Sequence, residues 1–214
     1  METQMKGSWA QLLWRTWDEL KGLPLDTTPD ARTCTKAFTY TPPESVRVVI
    51  IGERPYTEHG VADGMAFSAG LNKPPPSLRN IYKEIRDSGA GNIPTILRCG
   101  QGNLKPWATQ GVLLLNASLT TEFNSDWTTL TDEVVIKLND FAGPIVFMLW
   151  GHVAKAKGKL ITSPRHKVLT AALPSRSAAH RGFFGCNHFN KANEVLAAAG
   201  KQPVDWGKIG DSVA

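Results

Sequence analysis

The sequence has 214 residues, a formal net charge of +5 and a 42% share of hydrophobic residues. These values are typical of one globular domain with a buried core. No apolar run approaches the roughly 18 residues that a membrane-spanning helix needs, and the amino terminus lacks the apolar stretch of a secretion signal. We therefore expect an intracellular protein, in the cytoplasm or nucleus, without membrane contact. The positive charge favours a polyanionic partner.

Cysteine usage argues against a metal centre and against a disulfide framework. Cys34, Cys99 and Cys186 are odd in number, lie far apart and form no Cys-x-x-Cys pair. Zinc and iron–sulfur sites need clustered thiolates, and disulfide scaffolds need paired ones. The sequence therefore predicts a protein of a reducing compartment that uses no metal and no other cofactor.

Four short apolar runs predict strands. In chain order they are residues 46–51, 111–115, 145–150 and 168–172. Each run is nearly continuous, which is typical of a strand that is buried on both faces. The segments between the runs carry helical signals, and strands that alternate with helices form parallel sheets. We predict a single α/β domain over residues 1–214, a three-layer α/β/α sandwich around a central four-stranded parallel sheet.

Three of the intervening segments have recognisable helix punctuation. Residues 77–85 follow three prolines and place their apolar side chains on one face, as an amphipathic helix requires. The pair Thr129 and Asp132 has the spacing of a capping box and predicts a helix start at Thr129. Residues 187–199 predict a helix that ends at Gly200, since glycine commonly terminates helices.

Polar residues follow each of the predicted strands. The segments are 52–56, 116–118, 151–152 and 173–177, and they are rich in glycine, hydroxyl and basic side chains. The carboxyl ends of parallel strands meet at one edge of a sheet, and ligands of open α/β sheets bind there. The fold therefore predicts a site at this edge.

Two of these segments carry a specific likeness. Residues 52–57 read Gly-Glu-Arg-Pro-Tyr-Thr, and residues 173–185 read Leu-Pro-Ser-Arg-Ser-Ala-Ala-His-Arg-Gly-Phe-Phe-Gly. They resemble the water-activating loop and the DNA-intercalation loop of family 1 uracil-DNA glycosylases. Further blocks in the family's order extend the resemblance over about residues 46–206: Gly-Met-Ala-Phe-Ser at 64–68, Pro-Pro-Pro-Ser at 74–77, Gly-Val-Leu-Leu-Leu-Asn at 111–116, Trp-Gly at 150–151 and Pro-Val-Asp-Trp at 203–206.

The resemblance implies a pocket that reads an extruded uracil. A base in duplex DNA must be flipped out before a pocket can reach it. Asn116 would read uracil, because its amide can donate and accept at once and so suits the O4 and N3–H edge. Phe67 would stack on the base, and Tyr56 would exclude the methyl group of thymine.

The resemblance also implies a set of DNA-facing residues. By position in the matching blocks these are Pro75, Pro76, Ser77, Gly151, His152, Ser175, Arg176, Ser177, His180 and Arg181. Several depart from the family's pattern: Ser177 replaces the intercalating Leu, Arg176 replaces a Pro, and His152 replaces a Ser. Ser177 is smaller and more polar than Leu and would fill the space of an extruded base less well. Arg54 and Arg176, by contrast, add positive charge that can reach phosphates.

The residues that the family uses for catalysis are replaced. Arg54 stands where the family has an Asp that stabilises the sugar cation and positions water, and Leu173 stands where it has a His that bonds the departing uracil. A unit charge about 4 Å from the cation contributes roughly 4 kcal/mol at an effective dielectric near 20, which is worth about a thousandfold in rate. The leading hypothesis is therefore a DNA-binding protein that keeps the uracil pocket and hydrolyses the glycosidic bond poorly or not at all.

Two alternatives stay open. The first is an active, divergent glycosylase for uracil or a modified pyrimidine, with Asp63 or His152 as the substitute acid and Glu53, Glu58 and His59 as further candidates. The second is a protein-interaction scaffold, for example beside a replication or repair protein. Under all three hypotheses we expect a monomer. Under the leading hypothesis and the glycosylase alternative, we expect the partner to be single- or double-stranded DNA that contains uracil.

Overall fold

Four parallel strands form one sheet in the part of the chain that the structure, a computed structural model, describes: residues 8–13, 29, 33–121 and 125–210. The strands are β1 (Val48–Gly52), β2 (Val112–Asn116), β3 (Val146–Trp150) and β4 (Lys167–Ala171). Every residue of β1, β2 and β3 is buried, as their continuous apolar runs predict. The four predicted strands are confirmed to within two residues.

The strand order is β2-β1-β3-β4. Strand β2 lies on one side of β1 in the sheet, and β3 and β4 lie on the other side. The direction in which the chain adds strands therefore reverses between β1 and β3. In open α/β sheets a crevice forms at such a point, beyond the carboxyl ends of the strands. The pairing register brings Gly52, the last residue of β1, opposite Asn116, the last residue of β2.

Strand β4 forms one edge of the sheet and differs from the other three. Only two of its five residues, Leu169 and Ala171, are buried, and it begins with the exposed Lys167. Edge position alone does not account for this difference, because β2 forms the other edge of the sheet and is buried along its whole length.

Helices flank the sheet and confirm the predicted three-layer α/β/α sandwich. The described helices are α1 (Ser8–Leu12), α2 (Lys36–Tyr40), α3 (Pro76–Asp87), α4 (Lys105–Ala108), α5 (Ser125–Asn139), α6 (Gly151–Lys157) and α7 (His188–Ala198). Short 3-10 turns span Pro43–Ser45, Gly158–Leu160 and Ala179–Arg181. Among these described helices, none has the length and apolar character to cross a bilayer.

Two helix predictions are confirmed, and the third is confirmed as a helix but is wrong in its starting residue. Helix α3 buries the apolar face predicted for residues 77–85, and α7 ends two residues before Gly200. Helix α5, however, begins at Ser125, so Thr129 lies inside the helix instead of capping it. The anchor of the first turns is Trp127, which is 3% exposed and donates from Nε1 to the hydroxyl of Thr120 at 3.0 Å. Burial of that indole outweighs the local capping signal.

A neutral histidine supports the centre of the fold and makes its stability depend on pH. Trp150 Nε1 donates to Nδ1 of the buried His188 at 3.0 Å. Burial, with a smaller effect from Lys191, lowers the pKa of His188 from 6.5 to about 4. Between these values the unfolded chain binds the additional proton. The contribution is therefore complete above pH 6.5 and is lost as the pH falls towards 4.

We expect the free energy of unfolding to fall by about 2–3 kcal/mol between pH 7 and pH 4.5 through His188. Urea denaturation at the two pH values measures this loss. The control is His188→Gln, whose amide can still accept from the Trp150 indole but does not titrate. The variant should lose less stability over the same interval, and equal losses in the two proteins would contradict the assignment.

Candidate functional site

A cavity of about 190 Å³ opens at the carboxyl edge of the sheet, where the fold predicts a site. Its walls come from the segment after β1, the first turn of α3 and the segment after β4. The lining residues are Glu53, Arg54, Pro55, Tyr56, Ala62, Met65, Phe67, Ser68, Ser77 and Leu173. The structure thus brings together six residues that the sequence singles out across more than a hundred positions: Glu53, Arg54, Tyr56, Phe67, Ser77 and Leu173.

Asn116 stands at the same edge of the sheet, in contact with the start of the cavity's first loop. Its side chain is buried, with 7% exposure, and a Cβ atom added to Gly52 would lie 2.3 Å from Asn116 Oδ1. Glycine at position 52 is therefore what leaves room for the amide. The N–H of Ala117 donates to the Gly52 carbonyl at 2.9 Å, which fixes the two strand ends relative to each other.

Phe67 adopts an unusual backbone conformation at the cavity wall. Its φ is 64°, in the left-handed region that non-glycine residues rarely adopt and that costs about 1–3 kcal/mol. The N–H of Ala66 donates to the Leu114 carbonyl at 3.0 Å, and the Phe67 ring lies 5.6 Å from the Trp150 ring. Strain that is held in place by such contacts is typical of functional positions, and the sequence gives no signal of it.

Tyr56 forms a second wall and is tied to Phe67. Its hydroxyl donates to the Phe67 carbonyl at 3.1 Å. Burial, with a further effect of the Asp63 charge, raises the pKa of Tyr56 above its usual value, so the phenol stays neutral and keeps this hydrogen bond. The two aromatic residues are thus positioned as a unit.

Asp63, predicted as a substitute acid, is engaged elsewhere. Its carboxylate accepts from Ser68 Oγ at 2.6 Å, from the N–H of Gly70 at 3.0 Å and from the N–H of Met65 at 3.3 Å. The pKa of Asp63 is raised, because the effect of burial outweighs the lowering effect of these hydrogen bonds. Asp63 therefore closes the loop that carries Phe67, and it is not one of the residues that line the cavity. This geometry weighs against Asp63 as the acid.

Glu53 and Arg54 are the charged members of the described cavity lining. Arg54 NH2 lies 3.6 Å from Glu53 Oε1, and the two side chains are 50% and 35% exposed. Leu173 contributes an apolar side chain and packs near Gly151, where an added Cβ would lie 3.2 Å from Leu173 Cδ1. Both positions at which the chain departs from the family's catalytic residues therefore lie at this one site.

Hydrogen bonds join the segments that are predicted to face DNA. Asn80 Nδ2 donates to the Pro174 carbonyl at 2.9 Å and so links α3 to the segment after β4. Glu84, only 2% exposed, accepts from the N–H groups of Gly185 at 2.7 Å and Asn187 at 2.9 Å. Glu84 is not among the residues predicted from the sequence. A lone carboxylate on the apolar face of a helix is the signal that could have found it, because buried charges need partners.

The remaining predicted DNA-facing residues are mostly at the surface. Exposed members are Pro76, His152, Arg176, Ser177, His180 and Arg181, and half-buried members are Pro75, Gly151 and Ser175. The His180 ring packs on Phe184 with centroids 5.0 Å apart. Their contact with DNA stays a prediction. Within the described ranges, no group of three or more His, Cys, Asp or Glu side chains could hold a metal ion.

Comparison with known proteins extends over most of the chain. The family model of the uracil DNA glycosylase superfamily matches residues 38–197. A protein of Xanthomonas euvesicatoria pv. vesicatoria named uracil-DNA glycosylase is 49% identical over 178 residues, which are 79% of this chain and 72% of the relative. A protein of the same name from Fusobacterium nucleatum subsp. nucleatum is 43% identical over 186 residues, covering 83% of this chain and 80% of the relative.

A solved structure agrees in fold. The crystal structure of mimivirus uracil-DNA glycosylase superposes with a TM-score of 0.77 over 94% of this chain and 82% of that chain, at 24% identity. At that identity the structural likeness shows the fold alone, whereas the superfamily match and the relatives above 40% identity show descent. The chain therefore belongs to the uracil-DNA glycosylase superfamily.

Proposed function

We propose that the protein is a divergent uracil-DNA glycosylase, which takes an extruded uracil into the cavity and hydrolyses its bond to deoxyribose. The observation that supports this most is the strand-end cavity that Tyr56 and Phe67 line, with the buried Asn116 at the adjacent end of β2. The names of the relatives point the same way. These names favour the hypothesis of an active, divergent glycosylase over the hypothesis of a DNA-binding protein that hydrolyses the bond poorly or not at all.

Recognition follows from the chemistry of these three residues. The Asn116 amide offers a donor for uracil O4 and an acceptor for N3–H, whereas cytosine presents a donor where uracil has O4. The Phe67 ring provides a stacking surface, worth about 1–3 kcal/mol for a base. Tyr56 narrows the cavity beside C5, where thymine carries its methyl group.

The DNA backbone is the expected contact of the surface around the cavity. Arg176 and Arg181 are exposed in the segment that follows Leu173, and arginine pairs well with phosphate oxygens. Such contacts carry no sequence information, so they give affinity for any strand and leave the choice of base to the cavity. Replacement of the intercalating Leu by Ser177 favours single-stranded DNA, in which no partner base must be displaced.

Excision is expected to be slow. Leu173 offers no hydrogen bond to the departing uracil, and Arg54 places a cation where the family's carboxylate would face the sugar. A second candidate function, binding of uracil in DNA without excision, is favoured by this Arg54 charge and by the engagement of Asp63 with Ser68, Met65 and Gly70.

A single-stranded oligonucleotide with one uracil tests the proposal. We expect free uracil to accumulate beyond the amount of protein present, and no base to be released from the matching thymine oligonucleotide. Chromatography of the free base measures the release. No release combined with tighter gel-shift binding to the uracil strand would establish the second candidate, and no release with equal binding to both strands would leave only the interaction scaffold.

A further inference from the structure

We infer that His188 is a positioning residue of the proposed base pocket: it fixes the Trp150 indole, and the indole in turn holds the Phe67 ring in place for stacking on a base. The inference deepens the proposed function and rests on it. His188 is not one of the residues that line the cavity. It therefore acts through the side chains that lie between it and the cavity wall.

The position of the Phe67 ring depends on Trp150. Among the described aromatic rings, Trp150 is the one that the Phe67 ring contacts, with centroids 5.6 Å apart and planes tilted by 54°. The hydrogen bond from Tyr56 to the Phe67 carbonyl and the one from Ala66 to Leu114 fix the backbone and leave the ring free to turn. A left-handed backbone such as that of Phe67 persists only where its surroundings hold it. A shift of the indole would therefore be passed on to this ring.

The Trp150 indole is itself held by His188. Trp150 is 1% exposed and ends strand β3. Phe183 and Phe189 pack edge-on against its ring, with centroids 5.1 and 5.9 Å away. The one polar atom of the indole is Nε1, which can only donate, and its acceptor is Nδ1 of His188 at 3.0 Å. This hydrogen bond is the directional contact that sets how the indole is turned.

The surroundings of His188 suit it to this role. The residue is 4% exposed, and burial, with a smaller effect from Lys191, lowers its pKa to about 4. The imidazole is therefore neutral at pH 7, and Nδ1 keeps its lone pair for the indole. A buried N–H group that loses its acceptor is unfavourable. Removal of the imidazole is therefore expected to shift the Trp150 indole towards another acceptor and to weaken its support of Phe67.

Removal of the acceptor tests the inference. His188→Leu lacks the acceptor and keeps a buried side chain. We expect gel-shift binding of a single-stranded uracil oligonucleotide to weaken about 3–10-fold, which is a part of what stacking on an aromatic ring contributes. Binding of the matching thymine oligonucleotide rests on backbone contacts and should stay unchanged. His188→Gln, whose amide can accept from the indole, should bind the uracil strand as the wild type does.

A double-mutant cycle with Phe67→Ala shows whether the effect passes through the stacking ring. Residues that act through one another are not additive. His188→Leu should therefore weaken uracil-strand binding when Phe67 is present and change it little in the Phe67→Ala background. Equal weakening in both backgrounds would mean that His188 acts by another route, and the inference would be wrong.

Trp9→Phe is the matched control for a general loss of stability. The Trp9 indole is also buried, donates to the Thr41 carbonyl at 2.8 Å and does not line the cavity. Its removal should lower the melting temperature and leave the preference for the uracil strand unchanged. If thermal melts show that His188→Leu does not fold, Trp150→Phe takes its place in the cycle. That variant removes the donor of the same hydrogen bond, and the same results support or contradict the inference.

The failure of the inference is distinguishable from that of the proposed function. A preference for the uracil strand that is as large in folded His188→Leu as in the wild type overturns the positioning role and leaves the glycosylase in place. Equal binding of the uracil and thymine strands by the wild type, with no release of base, overturns both.

Discussion

Alanine at position 116 is expected to abolish the preference of this protein for uracil. In the proposed function the buried Asn116 reads uracil through its amide, and a well-placed donor–acceptor pair contributes about 1–3 kcal/mol of base discrimination. Gel-shift titrations of Asn116→Ala with uracil and thymine oligonucleotides should therefore give similar dissociation constants. Any release of free uracil should fall below detection, because an unread base is poorly held.

The thymine strand is the internal control for this variant. Its binding rests on backbone contacts and should not change when the amide is removed. A thermal melt of the variant guards against simple unfolding, since Asn116 closes a strand that packs in the core. A retained preference for uracil in folded Asn116→Ala would mean that the base is read by other residues, or that the strand binds elsewhere.

Gly64→Ala is expected to destabilise the protein by at least about 3 kcal/mol. The φ of Gly64 is +89°, and an added Cβ would lie 1.7 Å from the carbonyl oxygen of Thr33. A backbone atom cannot move aside as a flexible side chain can, so the loop that carries Phe67 would have to shift. Urea denaturation measures the loss, and uracil-strand binding should weaken with it.

Gly60→Ala provides the matched control in the same loop. Its φ is +73°, and an added Cβ would meet nothing within 4 Å, so this variant carries the backbone strain without the clash. We expect a cost of about 1–2 kcal/mol and retained binding of the uracil strand. Equal stability losses in the two variants would show that the Thr33 contact contributes nothing.

The sheet could be predicted from sequence because its strands are marked by their own composition. Three of them are buried along their whole length and therefore read as continuous apolar runs. The location of the site followed from the sheet, since polar segments come after each strand. Helix α5 shows the limit: a local capping pattern at Thr129 was overridden by the burial of Trp127, which depends on a contact with Thr120 seven positions earlier in the chain.

The residues of the proposed base pocket could be named from motifs, but the contacts that hold them could not. Asp63 has the composition of a spare acid, and only the folded loop shows its bonds to Ser68 and Gly70. The left-handed backbone of Phe67 depends in the same way on contacts with distant parts of the chain. The side-chain pair of Glu53 and Arg54 is adjacent in sequence, yet their shared presence in one cavity with Leu173 appears only in three dimensions.

The edge strand β4 has a consequence for the behaviour of the protein in concentrated solution. Open strand edges can recruit a second chain and start aggregation, and short length and lysine are among the features that prevent this. β4 has five residues and starts at the exposed Lys167. At this edge the sheet, whose other three strands are fully buried, thus ends on a strand that offers a neighbouring molecule little to extend.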